Sequence, residues 1–294
     1  MEIEILNLYS NIAKPGSNLI GKHGQSFLLT IEDEKILFDT GGSGTVLLKN
    51  MENLNIDPND ISKLVISHGH DDHTKGLPDF LDARTSNEPL IIYAHPNVRE
   101  PKLVKALFFK FNIGFPKLTK EQERKINFRF NKEPININQI IFTTGEIKNR
   151  KYRDGVEPRA LHKEEGEYKV DPVYDDISLI LKTTEGVVII AGCAHAGILN
   201  ICAQTKWIFN KPIKAIIGGT HMVRYSREEV IETGKILINE FDNPDLYLNH
   251  CTDQLPYKFL KRTKAIDILQ KDFSENKINP CYVGTKLIYN VNEN

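Results

Sequence analysis

Two stretches of this chain carry strand patterns, and each is followed by helical spacing, so each implies a sheet with apolar surface to cover. Residues 2–9 (EIEILNLY) alternate; after a Pro15-Gly16 turn come QSFLLTIE and KILFDTGG, parted by the turn-like Glu32-Asp33-Glu34. Residues 44–54 then place Val46, Leu47, Leu48, Met51 and Leu54 at helical intervals, and residues 57–62 and 76–81 read as short helix segments. Strands resume near Ile140 with QIIFTTGE, SLILKT, a Glu185-Gly186 turn and GVVIIAGCAH. Helices over 197–209, 227–241 and 255–271 alternate with the strands KAIIGGTH, DLYLNH and CYVGTKLIYN. Two sheets, each trailed by helices, bury their faces most economically as a sandwich with helices on the outer faces, an α+β architecture. Between the halves, LIIYAH is a strand ending at His95, the basic and aromatic stretch around residues 100–130 is expected to be a helical insert, and residues 147–171 a charged loop. No low-complexity linker divides the sequence, and residues 1–294 are expected to form one domain, with a split near residue 140 as the other arrangement.

Charge names no macromolecular partner: 38 Lys and Arg against 39 Asp and Glu give a net charge of −1, without the basic excess of a nucleic-acid or membrane binder. Small-molecule partners are expected, with no nucleic acid and no membrane; a homo-oligomer stays open. The four cysteines form no CxxC pair and are too few to staple a chain of this length, so they read as reduced thiols of a cytoplasmic protein. The first residues lack a basic region followed by an apolar stretch, and no uncharged apolar run approaches the ~18 residues that span a bilayer.

The most chemically loaded segment, Ser67-His68-Gly69-His70-Asp71-Asp72-His73, directly follows the apolar strand LVIS. Its three imidazoles and nearby carboxylates suit Zn, Fe or Mn. His68 and His70 can point the same way from an extended segment, whereas Asp72 and His73 must turn, which implies two adjacent ligand sets.

This HxHxDH pattern, with Phe38-Asp39-Thr40-Gly41 on an earlier strand, resembles the metallo-β-lactamase-fold superfamily over most of the chain. The resemblance implies an αββα four-layer sandwich with one or two divalent ions (Zn, Mn, Fe or Mg) at the sheet edge. In it, His68 and His70 serve one metal, Asp72 and His73 the other, and Asp39 buttresses the histidine loop. Asp39 suits that role because metal-bound imidazoles need an acceptor behind them; a turn acid before Gly41-Gly42 is the alternative. Cys193 stands where many members have a bridging Asp, and Tyr174-Asp175-Asp176 where a ligand histidine is common. Either carboxylate or Cys193 could complete the set, with His195 favoured over Cys193 because a thiolate invites tight structural zinc. His250 matches the superfamily's last ligand position. For His221, at the end of IIGGTH, substrate contact, metal ligation and a structural role all remain open. Asp72 and His195 are the expected catalytic residues.

SHGHDDHTKGL, PVYDDISLIL, GVVIIAGCAHAGILNI, AIIGGTH and NHCTD, in that order, resemble the subfamily that contains the 7,8-dihydropterin-6-methyl-4-(β-D-ribofuranosyl)aminobenzene 5′-phosphate synthase of methanopterin biosynthesis. The resemblance implies a metal-dependent transferase joining a 7,8-dihydropterin-6-methyl diphosphate to 4-(β-D-ribofuranosyl)aminobenzene 5′-phosphate, with release of pyrophosphate. The same metals would also serve a hydrolase of a phosphoester or thioester. Lys75 and Asp253 depart from the subfamily, which often has Gly at both places, and both changes bear on substrate recognition. Lys148, Arg150, Lys151, Arg153, Arg159 and Lys163 form a basic cluster that could seat phosphates; a solvated loop balanced by Asp154, Glu157, Glu164 and Glu165 is the alternative. Arg150, Arg153, Lys75 and His221 are therefore the substrate-binding candidates. Phe108, Phe109, Phe111 and Phe115 offer planar faces to a pterin or aniline ring, or else serve as core or oligomer contact.

Overall fold

The computed structural model describes residues 1–164, 166–254, 262–273 and 277–292. In chain order its first half holds β1 (Glu2–Tyr9), β2 (Ser26–Ile31), β3 (Glu34–Phe38), α1 (Gly44–Asn53), β4 (Ile61–Val65), α2 (Asp71–Thr74), α3 (Leu77–Ala83) and β5 (Leu90–Ala94). Next come β6 (Lys102–Ala106), β7 (Phe109–Asn112), α4 (Lys120–Arg124), β8 (Ile126–Phe130), β9 (Ile141–Thr143), β10 (Ala160–Glu164) and β11 (Glu167–Val170). The remainder is β12 (Leu179–Thr183), β13 (Gly186–Ala191), α5 (Ile198–Phe209), β14 (Ile213–Gly218), α6 (Arg227–Glu240), β15 (Asp245–Leu248), α7 (Ala265–Asp272), β16 (Ile278–Pro280) and β17 (Lys286–Asn290). Part of the helix expected over 255–271 lies outside the described residues, as does Glu165 of the charge-balanced loop.

Among the described residues these strands form three sheets: β17-β1-β2-β3-β4-β5-β8, β16-β15-β14-β13-β12-β9, and a smaller β11-β10-β6-β7. The two large sheets stack through alternate residues. Phe27, Leu29, Ile36 and Phe38 of the first meet Leu179, Leu181, Val188 and Ile190 of the second in one buried cluster. The intervening positions face outward: Leu28, Leu37 and Leu64 pack against Leu47, Met51, Phe80 and Leu81 of α1 and α3. On the far side, Ile180, Val187, Ile189 and Ile216 pack against Ile201, Val230, Leu237 and Leu269 of α5, α6 and α7. Each buried aliphatic or aromatic side chain contributes roughly 1.5–3 kcal/mol, so this period-2 division is what specifies the four layers. No helix among the described residues is long and apolar enough to cross a membrane.

The helical insert is not formed. Residues 102–112 make the β6–β7 hairpin, only Lys120–Arg124 is helical, and β8 joins the edge of the first sheet beside β5. The reason is a distant partner: β6 pairs with β10, which together with β11 lies in the stretch expected to be a charged loop. Phe108 and Phe109 stand exposed on this hairpin, 97% and 67% accessible, whereas Phe115 packs on Phe128.

His95, at the end of β5, has Nδ1 accepting from the Asn97 amide (3.1 Å), so Nε2 carries the proton and donates to Glu146 (3.2 Å). Burial pushes its pKa below the ordinary histidine value, and Glu146 only partly offsets this. The unfolded chain therefore binds a proton near pH 6.5 that folded His95 refuses, and this contribution to stability is lost as pH falls below that point. Urea unfolding at pH 7.5 and 5.5 should show the stability difference between wild type and His95→Gln shrinking toward acid, a comparison that cancels the other histidines.

Candidate metal centre

Five strands deliver the site from their carboxyl ends. Asp39 follows β3, the His68–His73 segment follows β4 and continues into α2, Cys193 and His195 follow β13, His221 follows β14, and His250 and Cys251 follow β15. Asp39, Ala194, His221 and His250 hold φ at +61°, +53°, +50° and +45°, a region costly for residues other than glycine. The chain thus bends sharply at each of these strand ends.

The donors fall into four overlapping groups, within each of which one ligand atom per residue lies within 4.8 Å of the others: His68/His70/His195, His68/His73/Cys193, Cys193/His221/Cys251 and His23/Asp72/His250. Of the residues expected to bind metal, His68, His70, Asp72, His73, Cys193, His195 and His250 are brought together. Asp176 lies outside these groups; its Oδ2 accepts from the Ala196 amide (2.8 Å), its Oδ1 is buried without a partner, and burial pushes its pKa up to about 7. Asp175 accepts from the Gly69 amide (2.7 Å) and pairs with Lys102 (2.8 Å), so it props the histidine loop from behind.

Hydrogen bonds behind three imidazoles settle their tautomers. His73 Nδ1 donates to Asp39 Oδ2 (2.6 Å), His195 Nδ1 to the Gly155 carbonyl (3.2 Å) and His250 Nδ1 to Asn11 Oδ1 (2.8 Å). Each leaves its Nε2 lone pair facing the cluster, as ligand histidines require. Asp39 also accepts from the Ser67 amide (2.8 Å) and hydroxyl (2.7 Å), which fixes the start of the loop. The Asn11 amide donates to His23 Nδ1 (3.2 Å), so His23 carries its proton on Nε2 and donates to Asp72 Oδ2 (3.0 Å). His250 Nε2 lies 3.2 Å from the same oxygen, a lone pair beside a carboxylate.

These contacts fit a cation. Burial opposes a charge on His73, but Asp39 and Asp72 raise its pKa to about 9, so the pocket favours positive charge at a point where an ion can supply it in place of a proton. Burial holds His68 well below the ordinary range, and with it His195, so both are neutral and have lone pairs to give. His70 Nε2 is buried without a partner. Burial also raises Cys193 strongly, whereas Cys193 and His221 together outweigh burial at Cys251 and lower it, so the two thiols hold a single proton between them near neutrality.

Three expected substrate contacts are committed elsewhere. Arg150 donates to the carbonyls of Ile147 (3.2 Å), Pro172 (2.5 Å) and Val173 (3.2 Å), which corrects its phosphate-binding assignment: the fork anchors a loop. Arg153 pairs with Glu229 and lies over the Tyr225 ring, 4.3 Å from its centroid. Lys75 is exposed, 3.6 Å from Asp71. Asp253 accepts from the Ile266 amide (3.0 Å) at the start of α7. His221, by contrast, sits in the site, its ring 4.3 Å from that of His195. The residues missed from sequence are Asn11, His23, Lys102 and Cys251; only Cys251, adjacent to His250, carried a local signal.

Close packing leaves the ligand loop little slack. A Cβ on Gly69 would come within 2.1 Å of the Val98 carbonyl, which is backbone and cannot swing aside. Gly69→Ala should therefore displace the segment between His68 and His70, costing about 1–3 kcal/mol and lowering metal content measured on the purified protein.

A site of this composition at the strand ends of an αββα sandwich defines a metallo-beta-lactamase, and the family model of the metallo-beta-lactamase superfamily matches residues 20–196; the chain belongs to that superfamily and is an enzyme. It is 33% identical over 285 residues to the 7,8-dihydropterin-6-methyl-4-(beta-D-ribofuranosyl)-aminobenzene-5′-phosphate synthase of Methanocaldococcus jannaschii, covering 93% of this chain and 92% of that protein. An uncharacterized protein of the same organism is 30% identical over 234 residues, 79% of this chain and 84% of its own length. Among solved structures, Tm1679, a metal-dependent hydrolase of the beta-lactamase superfamily, superposes with a TM-score of 0.79 at 28% identity, covering 97% of this chain and 98% of that one.

Proposed function

We propose that this enzyme is a metal-dependent transferase that condenses a 7,8-dihydropterin-6-methyl diphosphate with 4-(β-D-ribofuranosyl)aminobenzene 5′-phosphate and releases pyrophosphate, the whole chain acting as one domain. The observation that carries this reading is the match to the synthase, which runs nearly end to end in both chains. In the reaction the aniline nitrogen attacks the methylene carbon, the carbon–oxygen bond to the diphosphate breaks, and the nitrogen gives up a proton.

His68, His70 and His195 would hold one divalent ion, and Asp72, His73 and His250 a second, with Cys193 between them. Bound there, the metal supplies Lewis-acid stabilisation of the charge that develops on the departing diphosphate. The protein's own part is positioning and exclusion of water. His68 and His73 are buried, and the partly exposed donors, His23, Asp72 and His221, form the rim through which the diphosphate end would enter. His23 Nε2–H holds Asp72 in its anionic, oriented state, and Gly155, bonded through both its amide and its carbonyl to His195, closes the pocket on the opposite side.

A second reading, hydrolysis of a phosphoester or thioester, is favoured by the likeness to Tm1679. Pyrophosphate release from the dihydropterin-methyl diphosphate, with divalent metal and with or without the ribosylated aniline phosphate, separates the two. Release that needs the amine and yields the coupled product is expected; turnover without the amine would replace the transferase by the hydrolase.

A further inference from the structure

We propose that Cys193, His221 and Cys251 form a cation site of their own for a thiophilic divalent ion of the zinc class, joined to the histidine and carboxylate sets through Cys193. It goes beyond the transferase reading and does not depend on it.

Three adjacent parallel strands build this set. Ala191 of β13 pairs with Gly218 of β14, and Gly218 with Leu248 of β15, so the three residues share one rung. The donors stand two, three and three residues beyond it, at the same end of the sheet. Their ligand atoms all lie within 4.8 Å of one another, close enough for a single ion to reach all three. The Thr220 amide and hydroxyl bond the Thr252 hydroxyl (3.1 and 3.0 Å), tying the loop that carries His221 to the loop that carries Cys251. The His221 amide donates to Cys251 Sγ (3.3 Å), and that thiol lies 3.5 Å from the Cys193 carbonyl.

Room for the second sulfur is made by a missing side chain. A Cβ on Gly219 would stand 2.6 Å from Cys251 Sγ and 2.5 Å from the Gly192 carbonyl. An unused donor faces the same region: His221 Nδ1 is buried without a partner. On the other side, Cys193 Sγ lies 3.1 Å from His73 Nε2, so one thiol serves both neighbourhoods. Two sulfurs and an imidazole, with no carboxylate, select zinc or cobalt over magnesium or manganese. Three protein donors also leave one position of a tetrahedron open, the composition of an exchangeable site.

Cobalt titration of the full chain, prepared metal-free under reductant, tests the assignment. Wild type should develop sulfur-to-cobalt charge-transfer absorption, which cobalt held by nitrogen and oxygen alone lacks. Cys251→Ser should lower that band by about half, the Cys193→Ser/Cys251→Ser double variant should abolish it, and Cys202→Ser, in α5, should leave it unchanged. Circular dichroism checks that each variant folds. Zinc X-ray absorption on the wild-type protein adds a readout that needs no substitution, with zinc–sulfur scattering expected at ~2.3 Å. Cobalt bound without a sulfur band, a band that Cys251→Ser does not change, or zinc surrounded only by nitrogen and oxygen overturns this site and leaves the histidine and carboxylate reading standing. A chain that binds no cobalt overturns both.

Discussion

His68→Ala should lower pyrophosphate release about a thousandfold while leaving the protein folded. His68 is shared between the His70/His195 and His73/Cys193 groups, so its loss removes a ligand from each. Losing several kcal/mol of Lewis-acid stabilisation corresponds to roughly three powers of ten in rate. The fold should survive because the side chain is buried and neutral, so no ion pair is broken. Its neighbour Ser67 Oγ keeps its bond to Asp39 at 2.7 Å, which leaves no new buried polar group stranded behind the loop. Metal analysis, turnover and a thermal melt on the same sample check the three statements. Full activity in this variant, with the metal retained, would remove the His68–His73 segment from the proposed site.

The parts of this molecule that were legible in the sequence are those whose partners are near in the chain. HxHxDH places four donors within six residues, so its chemistry is visible without knowing the fold. Asp39 was legible as a buttress only through its resemblance, and its bonds to Ser67 and His73 now give that role a geometry. The two stacked sheets followed from period-2 patterns, because Phe27, Leu29, Leu179 and Leu181 face one core and Leu28 and Ile180 face the helices.

What could not be read depends on distant segments. Asn11 fixes the tautomers of both His23 and His250 from a loop after β1, and its residue type is too common in loops to stand out. Cys251 and His221 become neighbours only through the parallel order of β13, β14 and β15, which pairing between remote strands creates. The stretch from Lys102 to Asn112 fits a helix or a hairpin by pattern; the choice is made by β10, nearly fifty residues later, which offers β6 a partner edge. The basic loop misled for a related reason. A guanidinium that looks free for phosphate in the sequence is spent at Arg150 on three carbonyls that only the fold brings within reach.

Lys102→Met should be among the most destabilising single changes in the chain, at about 3–5 kcal/mol. Lys102 Nζ lies 2.9 Å from Asp171 and 2.8 Å from Asp175, with all three side chains almost fully buried. Burial opposes the ammonium charge, yet the two carboxylates hold the Lys102 pKa above its ordinary value, and Lys102 outweighs burial to lower that of Asp171. Methionine keeps the length of the side chain and removes the charge, so two carboxylates would be left buried without their cation. The folded-state pKa of Asp171 lies below its unfolded value, so its contribution is present at neutral pH and is lost as pH falls through the folded value. The variant's deficit should therefore narrow toward acid. The consequence reaches the metal centre because Asp175 also accepts from the Gly69 amide, between His68 and His70. Calorimetry should show a melting temperature lower by the order of 10 °C, with weakened metal retention at temperatures where the variant is still folded. A stable Lys102→Met protein with unchanged metal affinity would show that the histidine loop holds its shape without the support of the hairpin strand.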